Sequence, residues 1–319
     1  MKLFCNPSPA ARLPRPLQPG RRSAALLLAA AACIPTAALR AQPGSVPEVA
    51  SQRQQTAGDF DDLYEANDQA TGRDIILMVD HQPWYVEASL VGEYTSNAFL
   101  ASDDREDYLA LLTVRGGFET VVAEKYSVRA ELSALGARYA RFDELDYDRL
   151  GASFTAAMPV GDWAVGLAYE PSLIFDDGFG DRNLTQHQLS VFARRTGQLR
   201  DDLSWFFASR LSRTFSDPDD FDNNRLSANG GLIWQWRPGW VLQGGLQLSA
   251  QQYDDYFENL TGETRRDFSV TPYVSLGYRI DERFDAALSL RYTDNRSSLD
   301  PLDYTAKAIS PSLTFNWRF

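Results

Sequence analysis

From Trp84 to the last residue the chain alternates apolar and polar positions with a period of two, and this one feature leaves few folds open to it. In "WYVEASLVGEYT", Trp84, Val86, Ala88, Leu90, Gly92 and Tyr94 share one face, while Glu87, Ser89 and Glu93 share the other. The pattern recurs. Ala110, Leu112, Val114, Gly116 and Phe118 oppose Arg115; Val128, Ala130, Leu132 and Ala134 oppose Arg129, Glu131 and Ser133; Leu150, Ala152, Phe154, Ala156 and Met158 oppose Arg149, Ser153 and Thr155. Later segments start near Trp163, Leu189, Leu203, Leu226, Trp240, Phe268 and Phe284, and the row Ile309, Pro311, Leu313, Phe315, Trp317, Phe319 completes twelve. Each reads as a strand with one apolar and one polar side.

The connections alternate as well. After the fourth, eighth and tenth segments they are tight ("PVGD", "RPGW", "IDERF"), and after the second and sixth somewhat longer ("RTGQLRDD"). After the odd segments they are acidic and generally longer, for example "FDELDYD", "SDPDDFDNN" and "DNRSSLDPLD". Short turns on one rim, long loops on the other, an even strand count and strands of about 9 to 11 residues describe a transmembrane antiparallel up-and-down β-barrel. Such a barrel places both termini on the periplasmic side of a bacterial outer membrane. Past the N-terminal segment no apolar run approaches the roughly 20 residues of a spanning helix, so the barrel is the only membrane architecture on offer.

Aromatic placement separates the barrel from a soluble β-sandwich, which also alternates but gains nothing from aromatics gathered at one set of strand ends. Trp84, Phe118, Trp163, Trp205, Trp236, Trp240, Tyr278 and Phe284 all fall on the apolar parity beside the short turns, as an interfacial girdle requires. Tyr94, Phe175, Phe215 and Tyr292 make a thinner one at the other rim.

Residues 1–41 place arginines before a short Ala/Leu core and then small residues, the layout of a cleaved secretory signal peptide ending near Ala41. Its removal takes away Cys5 and Cys33, the only cysteines, and the six basic residues Lys2, Arg12, Arg15, Arg21, Arg22 and Arg40. The formal net charge then moves from −12 to −18. Nucleic acid is excluded as a partner by that surface. Residues 42–83 are polar and without sustained period, a periplasmic extension or a plug, with "IILMV" at 75–79 as an extra strand or docking segment. Residues 84–319 are the barrel domain.

The C-terminal row Leu313, Phe315, Trp317 and Phe319 resembles the terminal β-signal of bacterial outer-membrane proteins, with Pro311 departing from it at the far end. That resemblance implies that the barrel-assembly machinery reads this strand as an exposed edge. Beyond it, "EYTSNAFLASDDREDYLALLTVRGGFET" is similar to the early region of β-barrel porins of bacterial outer membranes, which implies a porin-like relative for residues 84–319.

Catalytic and metal-binding patterns are weak. Among residues 42–319 the histidines are His81 and His187; Ser190 lies three residues after His187 and so on the opposite face of its strand. Asp176, Asp177 and His187 could meet at the long-loop rim as in omptin-like proteases. Asp217, Asp219, Asp220, Asp222 and Asn224 offer oxygen ligands, but Arg225 stands where an EF-hand loop has its glycine, so the acidic loops read as solvated surface. The reading is therefore of a non-enzyme with no cofactor and no metal. Facing the lumen by parity are Glu87, Glu93, Arg115, Arg129, Glu131, Arg149, Glu170, Arg210, Arg225, Asp285 and Arg291, with Gln243, Gln247 and Gln251 between them. Such rings set selectivity in pores. The expected function is a narrow porin-like channel for small polar or ionic solutes, with membrane lipid and lipopolysaccharide as surroundings. The alternatives are a closed structural or adhesive barrel, an export-associated barrel and, last, an outer-membrane hydrolase.

Overall fold

Twelve antiparallel strands run in sequence order and close on themselves: β1 (Trp84–Thr95), β2 (Asp107–Val122), β3 (Tyr126–Tyr139), β4 (Tyr147–Val160), β5 (Trp163–Asp176), β6 (Arg182–Arg200), β7 (Leu203–Asp217), β8 (Asn223–Arg237), β9 (Trp240–Tyr253), β10 (Arg266–Arg279), β11 (Phe284–Ser297) and β12 (Tyr304–Arg318). The computed structural model describes residues 46–54, 82–123, 125–254 and 264–319, all within the unit Ala41–Phe319. The expected signal peptide, His81 and the 75–79 segment lie outside the described residues.

Each strand pairs with its neighbour in sequence, and β1 pairs with β12 from Tyr85↔Arg318 to Thr95↔Ala308. Closure leaves no edge, so every strand has both sides paired without recourse to water. The seam extends to the last residue, where Trp84 and Phe319 exchange backbone hydrogen bonds of 3.2 and 3.0 Å.

Alternation decides which face is wet. Leu132, Leu167, Leu211 and Leu226 are 56 to 69% exposed on the outside, whereas Gln186 and Asn229 on the inside are 2 and 4% exposed. The polar face is thus the buried one, the reverse of a soluble sheet. An apolar outer belt of this extent would be strongly unfavourable in water at about 25 cal/mol per Å² and is neutral in lipid. At the short-turn rim the outward aromatics touch in series: Trp84–Phe118 at 4.9 Å, Trp236–Trp240 at 6.1 Å, Trp240–Tyr278 at 4.6 Å and Trp317–Phe319 at 5.1 Å between ring centroids.

Two details depart from the sequence reading. The connections after β2 and β6 are tight turns, because β2 spans 16 residues and β6 spans 19, so that "RTGQLR" is strand. Ladder hydrogen bonds continue to be favourable where strands pass beyond the apolar belt. The acidic loops, expected as solvated surface, are also structural. After β3, β7 and β11 the same motif recurs, Asp-x-apolar-Asp: Asp143–Leu145, Asp219–Phe221 and Asp300–Leu302 each form one 3₁₀ turn followed by an aspartate. That aspartate accepts a backbone N–H from the preceding strand end in all three: Tyr139 N to Asp146 at 2.6 Å, Ser216 N to Asp222 at 2.6 Å and Ser297 N to Asp303 at 2.5 Å. The apolar residue of each turn, Leu145, Phe221 or Leu302, points inward at 1% exposure.

Candidate luminal site

The lumen wall is built from the inward parity of twelve strands, and its charges meet across neighbouring strands because register places them side by side. Glu87 lies opposite Arg115 and pairs with it at 2.8 Å. Arg129 and Glu131 pair at 2.9 Å, and Tyr85 ties them to β1, donating to Glu131 at 2.5 Å and accepting from Arg129 Nε at 2.7 Å. Glu170 takes Arg210 at 3.0 Å and Gln188 at 3.1 Å. Glu93 takes Arg291 at 2.5 Å and Ser310 at 3.0 Å. Asp285 sits at the short-turn mouth with Arg279, 3.3 Å away. Arg225 is buried beside Gln251 and Ser212, and Arg149 Nε is buried without a hydrogen-bond partner among the described residues. The eleven charged positions named from sequence therefore share the inside, most of them in pairs of opposite sign.

Aromatics also line the inside, and nothing in the alternation flags them. Tyr85 lies across Gly117 of β2, where a Cβ would come within 2.6 Å of the Tyr85 hydroxyl and 2.6 Å of the Ala130 carbonyl oxygen. Tyr273 lies likewise across Gly245, and its hydroxyl donates to Asn229 at 3.2 Å. An inward glycine thus lets a neighbouring ring fold flat against the wall instead of into the bore. The readable signal is a Gly on the polar parity facing an aromatic on the polar parity of the next strand.

The largest feature missed from sequence is a helix inside the barrel. Residues 46–54 (VPEVASQRQ) form α1, with Pro47 in its first turn, where a missing N–H costs nothing. Val46, Val49, Ala50 and Arg53 follow the spacing of one helical face. Val49 and Ala50, 0 and 1% exposed, join a core with Phe99 of the β1–β2 loop, Tyr139, Tyr147 and the three loop residues Leu145, Phe221 and Leu302. The polar positions reach the wall around the bore. Arg53 pairs with Glu93 of β1 at 3.0 Å, Gln54 accepts from Ser172 of β5 at 3.1 Å, and Ser51 accepts from Gln186 of β6 at 2.9 Å. Glu48 pairs with Arg265, next to β10, at 2.8 Å, and Tyr304 of β12, the strand paired with β1, donates to Gln52 at 3.4 Å. Every one of these partners lies near the long-loop ends of the strands, so α1 lies across the bore just beneath that rim. A cavity of about 30 Å³, room for one water, remains between Gln52, Arg225, Gln251, Asp267 and Tyr304.

The residues considered for catalysis are not brought together. His187 faces outward, stacked on Tyr169 and hydrogen-bonded to it at 2.8 Å, while Ser190 faces the lumen. Asp177 pairs with Arg138 at 2.7 Å and Asp176 bonds Asn183. Asp222 is engaged by Ser216 and by Arg213 at 3.6 Å, and among the described residues no cluster of three or more His, Cys, Asp or Glu is placed to hold a metal. Outside the strands, burial raises the Asp146 carboxyl above its ordinary value, opposed by the hydrogen bond from Tyr139 N and by Arg138.

No family model and no characterised relative matches this sequence. Solved structures do match. The COG4313 outer membrane channel from Pseudomonas putida F1 aligns over 73% of this chain and 96% of its own, with a TM-score of 0.52 and 10% identity. The chain has the fold of the outer-membrane β-barrels. The NanC porin (72% of this chain, 98% of that one, TM-score 0.42, 13% identity) and the KdgM porin in complex with disordered oligogalacturonate (72%, 98%, 0.39, 11%) are more distant in shape.

Proposed function

We propose that the protein is a narrow porin-like channel of the outer membrane for small polar or ionic solutes. In this reading the short turns and both chain termini face the periplasm, the acidic loops face outward into lipopolysaccharide, and passage rather than catalysis is the activity. The observation that carries it is the make-up of the inner wall. Eight strands give an interior that side chains just fill, and twelve make a wider one. Here serines (Ser89, Ser133, Ser153, Ser249, Ser275, Ser289) stand on the inner wall among charges of both signs and larger side chains such as Tyr85, Gln247 and Phe206. The COG4313 channel, which has the same fold, supports the reading. A second reading, a closed barrel with a structural or export-associated role, is favoured by α1 and the inward loop residues filling the long-loop end.

Planar-bilayer recording separates them. A channel gives discrete conductance steps, and neutralising Arg115 (R115Q) leaves Glu87 unbalanced and moves the reversal potential toward cations. Folded protein that stays silent with and without residues 46–54 supports the closed barrel.

A further inference from the structure

We propose that α1 is a gate: seated, it closes the bore beneath the long-loop rim, and solute passes when it leaves its seat. The inference rests on the channel reading above. Its first support is geometric. α1 touches the wall on β5–β6 on one side and, on the other, on β12, on its neighbour β1 and beside β10, while Val49 and Ala50 complete an apolar seal with Phe99, Leu145, Phe221 and Leu302.

The second support is how α1 is held. Ser172, Gln186 and Tyr304 of the wall hold it through side-chain hydrogen bonds, and the ladder of all twelve strands closes without it. A detached helix therefore leaves the barrel intact.

The third support is decisive for a gate over a permanent filler. Each charged wall group that grips α1 carries a second partner on the wall. Glu93, gripping Arg53, also holds Arg291 at 2.5 Å and Ser310 at 3.0 Å. Arg265, gripping Glu48, also holds Asp267 at 2.6 Å. A buried charge stripped of its only partner is strongly destabilising, and this commonly locks such pairs together. Here the wall charges remain paired after α1 departs, and the neutral groups Ser172, Gln186 and Tyr304 can turn to water. Arg53 and Glu48 leave for water too, where charged groups are well solvated. The seat thus has two satisfied states.

The test uses the full chain with Cys5 and Cys33 changed to serine, carrying Q54C and S172C. A glutamine's reach separates these backbones too far for a direct disulfide. A short bis-methanethiosulfonate cross-linker joins them during refolding, and reductant releases it. Heat-modifiable gel mobility and β-sheet circular dichroism establish that the barrel is folded in both forms. Tethered protein is expected to lose at least nine-tenths of its open-channel events, and reduction to restore them; deleting residues 46–54 is expected to raise open time several-fold. Equal conductance in the tethered and reduced forms overturns the gate while leaving the channel intact. Silence from all three folded forms overturns the channel reading, and the gate with it.

Discussion

Arg53 of α1 and Glu93 of β1 lie 3.0 Å apart with side chains 13 and 3% exposed, joining a short segment that precedes the barrel to the barrel's first strand. Because Glu93 keeps Arg291, the Arg53 contact is one of two, and its loss is partly buffered. R53Q is expected to cost about 1 kcal/mol of unfolding free energy, in the range of a charged hydrogen bond with its partner still satisfied. E93Q removes both pairs and is expected to cost about 2 to 3 kcal/mol. A double-mutant cycle by urea unfolding in detergent measures the difference; strictly additive effects would show that the contact contributes nothing.

Gly117 is held by two neighbours at once, the Tyr85 hydroxyl and the Ala130 carbonyl oxygen, both 2.6 Å from where a Cβ would stand. G117A is therefore expected to destabilise the barrel by about 1 to 3 kcal/mol, the usual range for overpacking. Adding Y85S removes the ring but not the backbone oxygen, and it frees Arg129 and Glu131 from their shared partner. Rescue by the double variant should be partial at best, and full recovery of the urea midpoint would mean that the ring alone forbids a side chain at this position.

The strands were legible from sequence because lipid outside and water inside impose a period of two on every strand, from Trp84 to Phe319. The same parity puts Glu87 beside Arg115, and Glu170 near Arg210, on the polar side of their strands. The ring at Tyr85 was not legible: aromatics on the polar parity look like noise until Gly117 is placed beside them by register. Nor was α1, since only Val46, Val49 and Ala50 of its nine residues are apolar and a face that narrow is hidden by the polar composition around it. The three Asp-x-apolar-Asp turns are visible in "FDELDYD", "SDPDDFDNN" and "DNRSSLDPLD", but the high density of acidic residues made them read as solvated surface.

Those turns make an opposed pair of predictions. Asp222 accepts from both the backbone N–H and the hydroxyl of Ser216, at 2.6 and 2.7 Å, so D222A is expected to cost about 1 kcal/mol, as for loss of a capping residue. Asp146 has a carboxyl raised by burial, so the folded state binds its proton more readily than the unfolded state does. Its ionised form therefore weighs against folding above that raised value, and the penalty fades as pH falls through it toward 3.8. D146N keeps an oxygen for Tyr139 N and removes the charge. It should be neutral or slightly stabilising at pH 7 and indistinguishable from the parent near pH 3, as thermal melts at both pH values would show. A D146N chain markedly less stable at pH 7 would contradict the assignment.

Phe319 serves the seam in two separable ways. Its backbone completes the β1–β12 ladder by exchanging hydrogen bonds with Trp84, and its ring packs 5.1 Å from Trp317. F319A retains the backbone pair, so refolding from urea into detergent should be nearly unchanged, with a loss of about 0.5 to 1.5 kcal/mol for one aromatic contact. Deleting Phe319 removes the pair as well and should lower stability further. Inside a cell the order of effects changes if the terminal row is read by assembly machinery, since F319A then removes the side chain that is read. Folded, heat-modifiable protein in the outer-membrane fraction should fall several-fold for F319A although the purified protein refolds normally. Equal recovery of F319A and parent from cells would leave Phe319 as a packing residue and remove the case for a terminal assembly signal in this chain.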